Sequence, residues 1–248
     1  MKKNLFLCLV IALAAFCSCS DDDSWAPAYI TDFAELHTDG SGQVVKMIVD
    51  TPAANASFAA GGEQNSYSQR GRELYIENAA TVTAALKAVA DTVYRCVCVY
   101  TVAESGCATI HSVAETFSPQ PVEATDELQM KTDPCEIQSI WLSRAYTADA
   151  SRPSSLWLNA RMLVQGKDLP HIVDYIDNGI VLNPATGVNT LTLLLYHDRN
   201  GDIEAFTRTI YLSCPLKNYA DRLVPGRDSI HFVVNQYEKG ITTFKLAY

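Results

Sequence analysis

The sequence contains few basic residues for its length, and this scarcity excludes one class of partner. Its 248 residues include 19 Lys and Arg against 28 Asp and Glu, for a formal net charge of −9. Between residues 28 and 118 the imbalance is five basic against ten acidic residues. Grooves that bind single-stranded nucleic acid need basic residues beside stacking aromatics, and an acidic surface repels phosphate. We therefore predict that the protein binds no nucleic acid.

The motifs of common catalytic and phosphate-binding sites are absent from the sequence. It has no Gly-x-Ser-x-Gly elbow, its single Gly-Gly pair leads to no Gly-Lys-Ser/Thr loop, and its five histidines form no His-x-x-x-His pair. His171, Asp174 and Asp177 invite a metal or catalytic interpretation, but a strand points Asp174 away from the other two. Solvated positions on a strand account for them better. We predict a protein without catalytic residues, metal or cofactor; a hydrolase with dispersed catalytic residues is the weakest alternative.

No hydrophobic stretch is long enough to cross a bilayer as a helix, which takes about 20 residues. The uncharged run from Leu5 to Phe16 follows two lysines, an arrangement typical of a secretory signal. A small residue, Ser18, precedes Cys19 at the end of this run, and that pattern resembles a bacterial lipobox. We predict a signal peptide over residues 1–18, cleavage before Cys19 and lipidation of its thiol, with Cys17 as the alternative site. An ordinary signal that releases a soluble protein is the competing interpretation.

Lipidation at Cys19 predicts stable attachment to a membrane, because each buried CH₂ group contributes about 0.8 kcal/mol. Cleavage removes two lysines, so the net charge changes from −9 to −11. Three aspartates follow directly, within a tether that we place at residues 19–27. Such a charged stretch cannot bury apolar surface and is expected to stay solvated.

The cysteines beyond the tether are odd in number, so they cannot all pair with one another. They are Cys96, Cys98, Cys107, Cys135 and Cys214. The first two share one face of a strand, and Cys107 follows after a turn that places it opposite a residue near Val102. These positions make a disulfide within the hairpin improbable. We interpret the thiols as small core side chains, while a bond between Cys135 and Cys214 stays open.

Two segments of β-type sequence predict two domains. Residues 28–118 combine short strands at Tyr29–Leu36, Val44–Val49, Leu74–Ile76, Val93–Val102 and Cys107–Thr116 with an Ala-rich helix at Ala79–Asp91. Four or five strands with one helix favour a small OB-like barrel. Pro119 and Pro121 then break the pattern, and we place a linker at residues 119–130.

Residues 131–248 predict an immunoglobulin-like β-sandwich. The expected strands are Ile137–Leu142, Leu156–Val164, His171–Ile176, Thr190–Tyr196, Phe206–Leu212, Ser229–Asn235 and Thr242–Tyr248. The turn Asn200-Gly201 carries the strongest hairpin signal, because both residues tolerate positive φ. Its flanking acidic residues also resemble a calcium loop, but the glycine and glutamate positions differ from that pattern. We therefore predict a hairpin here.

The second half of the chain resembles the NigD-like lipoproteins of Bacteroidota. The similarity is carried by Lys131-Thr132-Asp133-Pro134, Glu136 to Trp141, Leu158-Asn159, the run from Tyr196 to Asp202, and Tyr211-Leu212-Ser213. The resemblance implies an N-terminal OB-like domain, a C-terminal β-sandwich and no established enzyme activity. The acidic tether is similar to the export tag that directs lipoproteins of Bacteroidota to the cell surface. Together they imply an outer-membrane lipoprotein that faces the exterior.

These observations predict a membrane-tethered, non-enzymatic binding or immunity-type protein for an unknown protein or glycan partner. Loops on a rigid β scaffold carry function more often than the strands do. Arg144 and Tyr146, in an enlarged hairpin loop at residues 144–155, are the candidate binding residues. Trp141 and Trp157 lie in strands and are expected to pack rather than to bind sugar. The alternative function is that of an accessory glycan-binding lipoprotein.

Overall fold

The structure, a computed structural model, describes residues 29–52, 71–125, 132–145 and 155–248, which are mostly β-strand with one short α-helix. The first strands are β1 (Ile30–Thr38), β2 (Val44–Val49), β3 (Thr51–Pro52), β4 (Glu73–Tyr75), β5 (Val93–Val102) and β6 (Ala108–Glu115), with helix α1 (Ala79–Leu86) between β4 and β5. The later strands are β7 (Val122–Glu123), β8 (Glu136–Ala145), β9 (Ser155–Gly166), β10 (Ile172–Asn183), β11 (Val188–Asp198), β12 (Phe206–Pro215), β13 (Ser229–Gln236) and β14 (Gly240–Ala247). Within these ranges no helix has the length and hydrophobicity needed to cross a membrane.

The N-terminal strands form the predicted OB-like unit. Their sheet has the order β4-β2-β1-β5-β6, and a parallel bridge between Ile76 and Ala108 joins its two ends. Helix α1 lies between the third and fourth strands of this barrel and contacts β2 and β6. The enclosed core contains, among others, Ala34, Leu36, Met47, Leu74, Val82, Cys96, Cys98 and Tyr100. The prediction of a mostly β protein with an OB-like part is confirmed.

Helix α1 ends earlier than its sequence indicates. The Ala-rich pattern predicts a helix up to Asp91, whereas the last helical residue is Leu86. Lys87 adopts the left-handed conformation with φ 50°, and its N–H donates to the Ala84 carbonyl, which closes the last turn. Only Ala79 and Val82 of the helix are buried. Ala88, just beyond this last turn, packs against the core from outside the helix.

The C-terminal strands form a sandwich of two sheets, as predicted. One sheet has the order β14-β13-β11-β10-β7, and the other has the order β12-β9-β8-β3. Inward-facing Leu142, Leu158 and Met162 of the second sheet share a core with Leu193 and Phe232 of the first. Strand β7 lies within the predicted linker at residues 119–130 and pairs in parallel with β10. The linker therefore contributes a strand to the sandwich.

The prediction of a hairpin at Asn200-Gly201 is wrong. Both residues have the expected positive φ, 55° and 75°. However, the preceding strand β11 pairs with β10 and β13, whereas the following strand β12 pairs with β9 in the other sheet. The turn therefore carries the chain across the sandwich. A turn sequence specifies local φ angles, but it does not specify which sheet receives the next strand.

The five cysteines within the described residues are free thiols, and four of them are buried. The open possibility of a bond between Cys135 and Cys214 is not realised. The chain reverses so that the carbonyl of Cys107 accepts from the Ala103 N–H, one residue from the predicted partner Val102. Burial raises the pKa of Cys98 and of Cys135 to about 12, so both thiols stay protonated and unreactive at neutral pH.

The OB-like unit packs against the outer face of the β12-β9-β8 sheet. Phe33 of β1 makes edge-to-face contacts with Trp141 and Tyr211, with ring centroids 5.1 and 5.8 Å apart. Trp157 donates from its indole nitrogen to the buried Glu35 carboxylate at 2.9 Å. Strand β3 leaves the OB-like unit and pairs with β8, with Thr51 opposite Arg144. Both faces of this sheet are therefore covered, one by the sandwich core and the other by the OB-like unit.

A buried ion pair lies in the middle of this interface. Arg95 of β5 is 6% exposed and forms a two-pronged ion pair with Asp50, which is 5% exposed. The Arg95 Nε donates to Ser213 Oγ at 3.1 Å, and Nη2 donates to Asn159 Oδ1 at 3.0 Å. Ser143 and Asn159 donate to the Asp50 carboxylate in turn. Each charged group is thus matched by donors or acceptors from the sandwich.

The ring of Trp157 completes the environment of Arg95. The guanidinium carbon lies 4.6 Å from the centroid of this ring and 5.6 Å from the centroid of Phe33. A guanidinium over an aromatic face is attracted by the ring quadrupole, more strongly when water is excluded. The guanidinium of Arg95 therefore contacts the sandwich in two ways: its N–H groups donate hydrogen bonds, and its planar face lies over the ring of Trp157.

The Arg95→Met variant should be much less stable than the wild-type protein. It leaves the Asp50 carboxylate buried without its cation, a change that costs about 3–5 kcal/mol when one member of a buried pair is removed. Urea unfolding of the whole protein measures the loss. The matched control is Lys46→Met in the same sheet, where the pair with Glu73 is about one-quarter exposed and contributes about 0–1 kcal/mol. Equal losses in the two variants would contradict the central role of Arg95.

Candidate functional site

Two buried histidines form a second polar cluster at one end of the sandwich. His171 immediately precedes β10, and His197 lies near the end of the neighbouring strand β11. Their rings are 5.0 Å apart between centroids, and His171 Nδ1 lies 2.9 Å from His197 Nε2. The sequence interpretation of His171 as a solvated strand position is wrong, because only 1% of its side chain is exposed.

The partners of the pair determine where its protons lie. His197 Nδ1 is 2.9 Å from the carbonyl oxygen of Asp133, which can only accept, so Nδ1 carries a hydrogen and Nε2 accepts in the neutral ring. His171 Nδ1 must then be the donor to His197. The remaining nitrogen, His171 Nε2, keeps a lone pair and has no hydrogen-bond partner among the described residues. It lies 3.4 Å from the Oδ2 atom of Asp202.

Asp202 joins the loops on both sides of this cluster. Its carboxylate accepts the backbone N–H groups of Lys167 at 2.7 Å and Asp168 at 3.1 Å, both in the loop between β9 and β10. Arg208 of β12 donates to the same carboxylate at 2.9 Å. Asp202 itself belongs to the loop between β11 and β12, so one side chain links its own loop to the start of β12 and to the β9–β10 loop, which lies 34 to 35 residues earlier.

The side chains of the cluster converge next to Gly166, in space that a larger residue would occupy. A Cβ atom at this position would meet Arg208 Nη2 and Asp202 Oδ2 at impossibly short range, and His171 Nε2 at 2.7 Å. Contacts of this kind require one of the neighbours to move. The absence of a side chain at Gly166 therefore allows the imidazole, the carboxylate and the guanidinium to converge.

The electrostatics of the cluster favour neutral histidines and an ionised aspartate. Burial lowers the pKa of both His171 and His197. The Arg208 guanidinium lowers the pKa of His171 further, against the opposite effect of Asp202. Burial alone would raise the pKa of the Asp202 carboxyl, but the donated backbone N–H bonds and the Arg208 guanidinium hold it well below its usual value.

The geometry of the cluster is that of a closed structural centre. A His–Asp arrangement can serve general acid–base chemistry only where a substrate reaches the imidazole. Here the side chains of His171 and Asp202 are 1% and 3% exposed. Over the described ranges, no group of three His, Cys, Asp or Glu side chains is placed to hold a metal ion. The cluster fixes the loops around it.

The loops held by this cluster, and the first residues of the strands that follow them, expose large apolar side chains. Leu169 and Ile172 lie on one side and are 43% and 46% exposed; Ile203 and Phe206 lie on the other and are 62% and 65% exposed. We call these four residues the apolar end of the sandwich. The Arg208 guanidinium donates to the Leu169 carbonyl, which ties the two sides of the apolar end together. Exposed apolar groups on a rigid support are typical of protein interaction sites.

The candidate residues from the sequence lie elsewhere, in part outside the described residues. Arg144 is half-buried at the end of β8, where it hydrogen-bonds the Tyr248 side chain. Tyr146 and residues 146–154 of the enlarged loop fall outside the described ranges, as do Cys17 and Cys19. Asp177 accepts from the Tyr219 hydroxyl at 2.8 Å. Asp174 and Asp177 do not join the histidine cluster.

The exposed aromatic residues do not line up as a sugar platform within the described ranges. Tyr29 precedes β1, Tyr75 is on β4, Phe117 lies between β6 and β7, and Phe206 is on β12. Trp141 and Trp157, the described tryptophans, pack in the interface between the units, as the sequence predicts. A planar row of aromatics is the feature that would favour glycan binding, and these positions do not provide it.

The described residues form an OB-like unit and a nine-stranded sandwich. The buried Arg95–Asp50 pair and its hydrogen bonds lie between them. This combination defines the class of protein. The family described as NigD-like C-terminal beta sandwich domain matches residues 118–248. This match covers more than half of the chain, so the chain belongs to that family. The resemblance found in the sequence is thereby confirmed. A comparison with curated proteins gave no match.

Solved structures share the whole two-part architecture. The chain is similar to a NigD-like immunity protein from Bacteroides caccae, with 24% identity, a TM-score of 0.59, and coverage of 90% of this chain and 93% of the other. It is also similar to a protein of unknown function from Bacteroides vulgatus, with 14% identity, a TM-score of 0.54, and coverage of 89% and 91%. At these identities the likeness establishes the fold.

The Gly166→Ala variant should disrupt the histidine cluster. The added methyl group overlaps three converging polar groups, and overpacking of this kind costs about 1–3 kcal/mol. Thermal and urea unfolding of the whole protein measure the change. Gly40→Ala is the matched control, because its Cβ atom would find its nearest neighbour, Asp91 Oδ1, at 4.0 Å. A loss below about 0.5 kcal/mol in Gly166→Ala, the usual range for surface changes, would contradict the packing argument.

Proposed function

We propose that the protein is a lipid-anchored, non-enzymatic binding protein of immunity type that recognises a protein partner through its apolar end. The observation that carries the proposal is the exposure of Leu169 and Ile203 on two loops fixed by Asp202, and of Ile172 and Phe206 at the starts of the strands that follow these loops. Preorganised apolar groups bind with a smaller entropic cost than mobile ones. The similar protein from Bacteroides caccae is a NigD-like immunity protein, which agrees with a role in binding.

The charges around the apolar end support a protein partner over an ionic ligand. Lys167 pairs with Asp168 at 3.6 Å, Arg199 pairs with Glu204, and Arg208 pairs with Asp202. Arg199 also lies 3.6 Å from the Asp133 carboxylate, so each of these three cations has an acidic partner and this surface presents no unpaired cation to an anionic ligand. A complementary partner surface is therefore apolar at its centre and polar at its rim, the usual anatomy of a protein interface.

The location is the second part of the proposal. The lipobox-like sequence before Cys19 and the acidic residues after it support attachment to the outer membrane, with the folded part facing the cell exterior. Cys19 is the lipidation site of this proposal. The overall negative charge of the chain supports a tether based on acyl chains rather than on contact with anionic head groups.

Replacing the exposed residues Ile203 and Phe206 with serine should weaken partner binding by about 30-fold or more and leave folding intact. Truncation of an apolar anchor in an interface costs about 2 kcal/mol or more, which is about a 30-fold loss of affinity. Chemical cross-linking on intact producing cells, followed by quantitative recovery of the tagged protein with its partner, measures the effect.

The matched control replaces Val181 and Leu182, which are 66% and 56% exposed on β10, with serine. A third variant changes Arg144 and Tyr146 to alanine and tests the loop indicated by the sequence. If the Ile203/Phe206 variant recovers the partner as well as the wild type does, the apolar end is not the binding surface. Loss in the third variant alone would transfer the assignment to the enlarged loop.

The Cys19→Ala variant should lose its lipid. Cells supplied with an alkyne-bearing fatty acid should label the wild-type protein and the Cys17→Ala variant, but not Cys19→Ala, because the thiol at the cleavage site carries the acyl chain. Gel fluorescence after attachment of a dye measures the label. Equal labelling of Cys19→Ala, or an unmodified N-terminus found by mass spectrometry of the wild-type protein, would refute the anchor.

A further inference from the structure

The closed arrangement of the histidine pair has a position for one further proton but not for two, and the proposed binding function does not depend on this property. In the neutral pair, His171 Nδ1 donates its hydrogen to His197 Nε2, and His197 Nδ1 donates its hydrogen to the carbonyl oxygen of Asp133. A first added proton has one free position, His171 Nε2, where it meets Asp202 Oδ2 at 3.4 Å. A second proton has to enter between the rings, on His197 Nε2, where His171 Nδ1 already donates. Two donors 2.9 Å apart repel each other, so the rings must then separate.

We propose that the His171–His197 pair is a proton-operated latch, closed at neutral pH, whose opening in mildly acidic surroundings loosens the loops at residues 167–171 and 199–205. The loops depend on the pair because His171 ends the first loop and Asp202, beside His171 Nε2, belongs to the second. This inference is independent of the identity of any partner.

The groups from Asp202 and Asp133 favour protonation of the pair, whereas burial and the guanidinium groups of Arg208 and Arg199 oppose it. Arg208 of β12 already occupies Asp202 Oδ2, so a protonated His171 places a second cation on the same oxygen. Arg199, which follows β11, lies beside Asp133 at 3.6 Å. The Lys167–Asp168 pair is exposed on the loop above the cluster and is neutral as a pair.

The segment before β8 is part of the same unit. The Asp133 N–H donates to the His197 carbonyl at 2.7 Å, and the Asp133 carboxylate accepts the Arg199 N–H at 2.8 Å. Separation of the rings therefore releases the contact of His197 with the Asp133 carbonyl as well. The latch connects the entry of β8 to both loops.

The direction of the pH effect follows from the lowered pKa of both rings. An unfolded histidine takes up its proton near pH 6.5, whereas the folded pair resists protonation. The stabilisation is therefore complete above about pH 6.5 and is lost as the pH falls towards the lower pKa of the closed pair, because the open and unfolded forms bind protons at a higher pH than the closed pair does. Each proton bound on opening changes the opening equilibrium about tenfold per pH unit.

Amide hydrogen exchange of the whole protein, followed by NMR at pH 7.5 and 5.5 and corrected for intrinsic rates, tests the latch. The amides of Lys167, Asp168 and Arg199 should lose about tenfold or more of their protection at the lower pH. The reference amides are Val224 and Asn189, which donate to Asp228, a buried aspartate paired with Arg227. Their protection should not change, which separates histidine titration from titration of an aspartate acceptor.

The His171→Asn variant should abolish the pH effect. The Asn side-chain nitrogen can donate to His197 as His171 Nδ1 does, but it cannot take up a proton. The control is His231→Asn, because the pKa of His231 on β13 is also lowered, by burial and by Lys245, at a distance from the loops. His231→Asn should keep the wild-type loop response.

Unchanged loop protection in the wild type, or the same loss in His171→Asn, overturns the latch. If His171→Asn fails to fold, the imidazole nitrogen shifts of the wild-type protein decide instead. The two rings should then titrate as a coupled pair below the ordinary histidine pKa. Independent titrations at the ordinary value would overturn the proposal as well.

Discussion

The contact of Arg95 with Asp50 is the constraint around which the two units are arranged. A sandwich sheet normally buries one face and leaves the other in water. Here the β12-β9-β8 sheet has a second buried face, and the chain covers it with the OB-like unit. Covering a face that carries Ser143, Asn159 and Ser213 strands their polar groups unless each finds a partner. The guanidinium and the carboxylate supply those partners, so the docking geometry is restricted to one arrangement.

Several of the described residues that carry the family resemblance lie at two places in the structure, and others, such as Ile140, Leu158 and Leu212, lie in the core of the sandwich. Trp141, Asn159, Tyr211 and Ser213 face the OB-like unit. His197 and Asp202 belong to the buried cluster at the apolar end. Neither place offers an accessible reactive group. The shared motifs therefore describe how the two-part architecture is held together, and they carry little information on what each protein binds.

Much of the fold follows from the sequence, because alternation and turn residues are local signals. The strand runs in both halves and the OB-like and sandwich classes are confirmed, and the buried thiols follow from their positions in apolar strands. The crossing at Asn200-Gly201 does not follow, since the same φ angles serve a hairpin and a passage between sheets. Both polar clusters were also missed, because their members come from segments up to 118 residues apart.

A sharper local signal was present for each cluster. Arg95 is a lone charge in the strand Val93–Val102, which is otherwise apolar or aromatic apart from one threonine. A charge inside such a strand indicates a buried partner, because an unpaired one costs several kcal/mol. His171 follows Pro170 just before a strand. A histidine can be buried in its neutral form, which avoids the desolvation of a charge. The sequence cannot show that Gly166 leaves space for its ring, since that contact exists only once β9 and β12 are paired.

The two clusters divide the work of the molecule in a way that bears on function. The Arg95–Asp50 pair is buried between the two units and joins them. The histidine pair, whose pKa values burial lowers, is the site of the proposed latch and holds the loops and the entry to β8. The exposed apolar side chains of the apolar end lie on those loops and at the starts of the strands that follow them, and not at the Arg95–Asp50 pair. Variation in pH would therefore act on the recognition surface while the architecture that presents it stays intact.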